Sequence, residues 1–124
     1  MKQIILDTSL IISCIEFKID WEKELNKIID EKFRIIILDK VLTEIDKVIE
    51  KGGKQGRYAK LAKEILKKRY PVKKTQKGHT DDILLRLAKN SIIATQDKEL
   101  RRRIKEQGRP RILIRQKKYL TIEK

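Results

Sequence analysis

The chain is short of the residues that stiffen small domains by covalent or aromatic means. Its 124 residues include 1 cysteine, 1 histidine, 1 tryptophan and 2 prolines, and aromatics make up 5%. A single cysteine excludes an internal disulfide and suits a reducing, cytoplasmic compartment. Cys14 reads as a small buried residue. With so few aromatics, the core must be built from Ile, Leu and Val. No apolar run approaches the roughly 20 residues of a membrane span. The opening MKQIILDTSLIIS has the apolar character of a leader peptide, but Asp7 interrupts it and no small-residue cleavage site follows, so it reads as a strand. The length suits a single domain over residues 1–124, and neither linker nor repeat divides it. Frequent Lys, Glu and Ile with few Asn fit a thermophilic source.

What the chain has in excess is positive charge. The formal net charge is +14, and it is unevenly spread. Residues 51–80 hold 11 basic residues and 1 acidic; residues 101–124 hold 10 and 2. Residues 81–100 between them hold 3 basic and 4 acidic. Two basic stretches flanking an acidic one point to a polyanionic partner, nucleic acid before any other. A solvated lysine-rich surface is the plainer alternative.

Apolar runs and helical stripes alternate along the chain. QIIL (3–6), FRIIIL (33–38), SIIAT (91–95) and RILIR (111–115) read as buried strands, with YLTI (119–122) a candidate fifth. Helices are predicted over 9–17, with Ser9 as cap, and 20–31, with Asp20 as cap. Others are predicted over 39–51, 58–69, 81–89 and 98–108, the last closed by Gly108. GGKQGR (52–57) reads as a flexible basic loop and 70–79 as a polar stretch with a short strand. Strand–helix alternation implies a central, mostly parallel sheet of about four to five strands with helices on both faces, a three-layer α/β/α sandwich. In such sheets ligands sit beyond the carboxyl ends of the strands.

Acids fall at those ends. Asp7 directly follows the first strand, and Asp97 lies two residues past SIIAT. Asp81 and Asp82 open the helix before that strand. At about 100° per residue, Glu44 borders the apolar stripe of its helix, whereas Asp46 lies on the other flank. By the same projection Asp81 faces inward and Asp82 sits beside Arg86 and Lys89. Each acid alone could be a helix cap or a surface residue. Together, carboxylates converging on one place require a cation, and oxygen-only ligands suit Mg²⁺ or Mn²⁺. Such a site polarises phosphate and ionises water.

IILDTSLII, LDKVLTEID, HTDDILLRLA and IIATQDKELRRRI, in that order and spacing, resemble the PIN-domain ribonucleases over nearly the whole chain. The resemblance implies a PIN-like α/β/α fold and a metal-dependent endoribonuclease. It makes Asp7, Glu44, Asp81 and Asp97 the acidic quartet around Mg²⁺ or Mn²⁺. Ser9 and Thr95 become supporting hydroxyls, with Asp82 and Glu99 as auxiliary ligands. ATQDKELRRRI followed by GRPRILIRQKKYL is more similar to the small-subunit rRNA-processing branch than to VapC-type toxins. It leaves room for a homodimer, and nothing in the sequence indicates an antitoxin partner.

RNA contacts are expected at Lys54 and Arg57 in the glycine-rich loop, at Lys74 and Lys77 before the acids, and at Arg101 and Arg102 on the last helix. Arg101, Arg102 and Arg103 span three directions of one helical turn, so they cannot all face one ligand. His79 reads as a turn residue, and Tyr58, Tyr70 and Tyr119 as packing residues, with base stacking as the alternative. Three rival readings stay open: a VapC-type toxin ribonuclease, a non-catalytic RNA-binding assembly factor on the same fold, and a receiver-like domain. The last would need a lysine on the last strand where Arg111 and Arg115 stand.

Overall fold

The computed structural model describes residues 1–124. Strand β1 (Lys2–Leu6) leads into α1 (Thr8–Glu16) and α2 (Trp21–Ile28), then β2 (Phe33–Leu38), α3 (Asp39–Lys51) and α4 (Gly53–Arg69). The two-residue strand β3 (Val72–Lys73) precedes α5 (Thr80–Leu87), β4 (Ile92–Ala94), α6 (Lys98–Glu106), β5 (Arg111–Arg115) and β6 (Tyr119–Glu123). The six strands form one sheet in the order β3-β2-β1-β4-β5-β6. All pairs are parallel except β5–β6, which is antiparallel. The four apolar runs thus became strands, as did the short strand expected within 70–79 (β3) and the candidate at 119–122 (β6), giving six strands where about four to five were expected.

Isoleucine drives the centre. Ile4, Ile5 and Leu6 of β1 are almost wholly buried between β2 and β4, each contributing about 1.5–3 kcal/mol by leaving water. Strand order runs leftward from β1 through β2 and β3, then resumes rightward at β4. Right-handed crossovers therefore place α1–α4 on one face and α5–α6 on the other. The reversal between β1 and β4 opens a crevice at their carboxyl ends.

Two expectations fail here. GGKQGR is not a flexible loop: only Gly52 separates α3 from α4, and Lys54 and Arg57 stand exposed on the first turns of α4. Gly52 and Gly53 both adopt positive φ, 73° and 69°, and turn the chain back at once. Gly56 then lets α4 settle on α3; a Cβ there would lie 3.2 Å from the Val48 carbonyl oxygen. Ser9 is not the cap of α1 either. Asp7 is, its carboxylate accepting from the Thr8 N–H at 2.9 Å. Asp20 does cap α2, accepting from Lys23 N–H.

The β5–β6 connection is a three-residue reversal, Gln116 to Lys118, with Gln116 and Lys117 both left-handed, φ 54° and 55°. Asn-Gly is the sequence such a turn favours. Gln-Lys costs about 1–2 kcal/mol per residue more. No helix is long and apolar enough to cross a membrane.

Candidate active site

Asp7 is the last residue before α1 and sits at the reversal point, its amide donating to the Ala94 carbonyl at 2.9 Å. It is buried to 6% exposure. The neighbouring hydroxyls surround it. Thr95, fully buried, donates to Asp7 Oδ2 at 2.7 Å, and Ser9 Oγ donates to the same oxygen at 3.3 Å. Ser9 and Thr95 lie 3.2 Å from each other. Thr95 Oγ1 in turn accepts from the Asp97 N–H at 3.1 Å, so one hydroxyl fixes both acids. Burial, with Glu44 adding its charge, holds the Asp7 pKa above the ordinary carboxylate value although Thr95, Thr8 and Ser9 pull it down.

Glu44 leans inward from α3, where the helical projection put it, and accepts from the Thr8 hydroxyl at 2.6 Å. Asp81, in the first turn of α5, is partly buried. Its pKa is raised by burial first, then by Asp97, Glu44 and Asp82, against the pull of Arg103. Those couplings bring Glu44, Asp81 and Asp97 into one electrostatic group. Asp97 caps α6, accepting from Leu100 N–H at 3.0 Å. Asp82 is more exposed and paired with Arg103 at 3.0 Å, at the rim of a polar cleft that also includes Glu44, Thr80 and Asp81.

Other candidates lie apart. Glu99 is exposed and bonded to Arg102, which holds its pKa below the ordinary value. Arg102 is matched by Glu99 and Glu106 together. Lys74 and Lys77 are exposed on the segment before α5. Arg101 is half-buried, with its Nε unpartnered. His79 does not lie apart: exposed before α5 and without a side-chain capping bond, it lines the same polar cleft as Glu44, Asp81 and Asp82. Asp46 is bound to Lys63 at 2.6 Å.

Five residues escaped the sequence reading: Asp39, Lys40, Thr75, Thr8 and Gln96. Asp39 follows β2 directly, as Asp7 follows β1, and that shared placement was the available signal. Its carboxylate accepts from the Thr75 hydroxyl at 2.6 Å and from the Thr75 and Lys40 amides, which together lower its pKa, the Thr75 hydroxyl most. Lys40 Nζ donates to the Gly78 carbonyl at 2.8 Å. The start of α3 thus ties down the segment that delivers Asp81. Thr8 holds Glu44, and Gln96 joins strands: its amide donates to Ser9 Oγ and its Oε1 accepts from Ile114 N–H.

Glu44 is turned to Thr8 and Asp97 to the Leu100 amide, and no three acidic groups close around a single point. The donor chemistry fits a hard divalent cation all the same. Every candidate ligand is an anionic oxygen, and Asp7 and Asp81 are both pushed up in pKa by burial and by neighbouring carboxylates.

Comparison with known proteins agrees. The profile of the PIN-like domain family matches residues 4–117. Ribonuclease VapC4 of Methanocaldococcus jannaschii is 31% identical over 128 aligned positions, covering 98% of this chain and 97% of that protein. The structure of the PIN domain endonuclease Utp24 superposes with a TM-score of 0.80 at 27% identity, over 98% of this chain and 90% of its own. A domain of a functionally unknown M. jannaschii protein superposes at 0.64 over 93% of this chain and 92% of its own, and at 20% identity it speaks to the fold alone. The acids at the β1/β4 reversal and a family match from end to end lead to one conclusion: the chain belongs to the PIN-domain ribonuclease family.

Proposed function

We propose that the protein is a divalent-metal-dependent endoribonuclease that processes small-subunit ribosomal RNA in the cytoplasm. One observation carries the reading. Asp7, Glu44, Asp81 and Asp97 line the carboxyl edge where the strand order reverses, without three of them closing on one point, and Asp7 and Asp81 are raised in pKa by burial and by their neighbours. A chain of net charge +14 has no electrostatic reason to collect acids there unless a cation is shared. Asp7, Glu44, Asp81 and Asp97 would hold Mg²⁺ or Mn²⁺, with Asp82 as an outer contact. Bound there, the ion supplies Lewis-acid polarisation of a phosphate and an ionised water. The chain's own groups do the positioning. Thr95 and Ser9 fix the Asp7 carboxylate, and Thr8 fixes Glu44. Lys54, Arg57, Lys74, Lys77, Arg101 and Arg102 are the proposed contacts to RNA phosphates. Glu99 keeps Arg102 in place.

The likeness to Utp24 supports the processing role. The sequence identity to VapC4 supports a second reading, a toxin ribonuclease neutralised by a partner protein. Co-purification of the native protein with a small partner would favour the toxin.

The test is cleavage of a small-subunit rRNA 3′-end fragment and of an unrelated single-stranded RNA. It is run with Mn²⁺, Mg²⁺ or EDTA, for wild type and Asp7→Asn. Metal-dependent cutting that prefers the rRNA fragment and disappears in Asp7→Asn supports the proposal. A wild type that binds RNA but neither binds metal nor cuts overturns it and leaves a non-catalytic RNA-binding module.

A further inference from the structure

The chain has three non-glycine residues with left-handed backbone, Lys18, Gln116 and Lys117, and they meet in one place. Gln116 and Lys117 form the β5–β6 turn. Lys18 follows Phe17, whose ring centre lies 5.7 Å from Lys117 Nζ. Lys18 is the left-handed residue that closes α1, with Ile19 N–H donating to the Cys14 carbonyl at 2.8 Å, and Gln116 and Lys117 make the tight hairpin turn, so the fold sets both backbones and brings their lysines to one place.

The lysines there have no acidic partner, Lys117 resting only on the Phe17 ring. Arg115 is bonded to Glu123, but Lys18, Lys117 and Lys118 have no carboxylate within ion-pair distance. This differs from α6, where Arg102 and Arg103 are matched by Glu99, Glu106 and Asp82. Beside the turn stands Tyr119, the one exposed aromatic side chain at 38% exposure.

The turn also stands at the right edge. β5 runs parallel to β4 and β1, so its carboxyl end emerges on the side of Asp7 and Asp97. Ile114 N–H donates to Gln96 Oε1 at 2.7 Å, Gln96 N–H to Ser9 Oγ at 3.1 Å, and Ser9 Oγ to Asp7. The turn begins about 7 Å further along the strand from that link.

We infer that the β5–β6 turn, with Lys117 and Lys118 at its tip, Lys18 beside it and Tyr119 at its base, is a grip on single-stranded RNA next to the acidic site. The lysines take backbone phosphates and Tyr119 stacks a base. The inference rests on the ribonuclease reading for its biological sense, but its test reads binding alone.

Binding of a fluorescent oligouridine is measured by anisotropy in EDTA over a range of NaCl. Lys117→Gln with Lys118→Gln should flatten the log K against log salt slope by about 1.4, the share of two phosphates on a single strand. Tyr119→Ala should weaken binding about tenfold, while Tyr119→Phe keeps it. Lys117→Gly is the decisive variant, since it relieves the turn: its melting temperature should rise while its salt slope flattens by about 0.7. A structural turn would show the first change without the second.

Unchanged affinity and slope in these variants, with wild type cutting RNA, overturns the grip and leaves the nuclease reading intact. A wild type that fails to bind oligouridine overturns the grip as well. If wild type binds but does not cut, and the variants lose binding as stated, the grip stands and the nuclease reading falls.

Discussion

Removing the Thr95 hydroxyl should separate the two tasks it performs. In Thr95→Val a methyl replaces an oxygen that donates to buried Asp7 at 2.7 Å and accepts from the Asp97 amide at 3.1 Å. A hydrogen bond to a charged group contributes about 1.5–3 kcal/mol and a neutral one about 1 kcal/mol. Thr95 and Asp7 are both buried, so water recovers little of this and the cost should be about 3 kcal/mol. In a domain of this size that lowers the melting temperature by about 10 °C. The loss should depend on pH. Burial already holds the Asp7 pKa up, so the folded state binds that proton more tightly than the unfolded chain. The resulting penalty is absent below the unfolded pKa and complete above the folded one. Without Thr95 the folded pKa climbs further, so the deficit of the variant should be largest near neutrality and shrink in acid. Urea unfolding of wild type, Thr95→Val, Asp7→Asn and the double variant closes a cycle, with an expected coupling of about 2 kcal/mol at neutral pH. A coupling below about 0.5 kcal/mol, or one that does not change with pH, would refute this account of the Thr95–Asp7 bond.

Asp81→Asn should make the protein more stable at neutral pH, because it removes a carboxylate raised by burial, Asp97 and Glu44. That gain should fade as pH drops and wild-type Asp81 takes up its proton. Mn²⁺ should raise the melting temperature of wild type more than that of the variant, and thermal melts with and without metal check both. Asp39→Ala should release residues 74–79 at a cost of about 1 kcal/mol, the low end for a half-exposed carboxylate. Amide exchange at Thr75 reads the release. The Asp39 contribution runs opposite in pH: its lowered pKa gives stability above the unfolded value that is lost as pH falls through the folded one. Cys14, whose thiol is pushed up to about 12 by burial and by Glu24, should resist Ellman's reagent in the folded protein and react only as the chain unfolds.

The sequence announced those elements that follow from periodicity. Residues 4–6, 35–38 and 92–94 are buried on both faces, and an apolar run of that kind allows little else. The inward lean of Glu44 and the inner place of Asp81 relative to Asp82 followed from helical angle alone. GGKQGR misled because two adjacent glycines look like slack, whereas here both positive φ values make one abrupt turn. The contact that decides this, Gly56 against the Val48 and Ile49 carbonyls, is tertiary and leaves no local mark. Ser9 misled because it resembles a cap, but the helix starts two residues earlier on Asp7. The Asp39–Thr75 and Thr8–Glu44 bonds each span 36 residues and have no local pattern at all.

The order of the strands also bears on how the molecule is born. β1 is made first and sits in the middle, yet one of its two neighbours, β4, begins only at Ile92. The Asp7–Thr95 bond joins residues 88 apart, and Asp97 comes later still. Long loops must close before such pairs are rewarded, so this edge forms late. A growing chain still threaded through the ribosome holds β1 and β2 but not the strand that completes the acidic edge. The acidic edge is therefore incomplete until β4 and the start of α6, both made after residue 91, have joined the sheet.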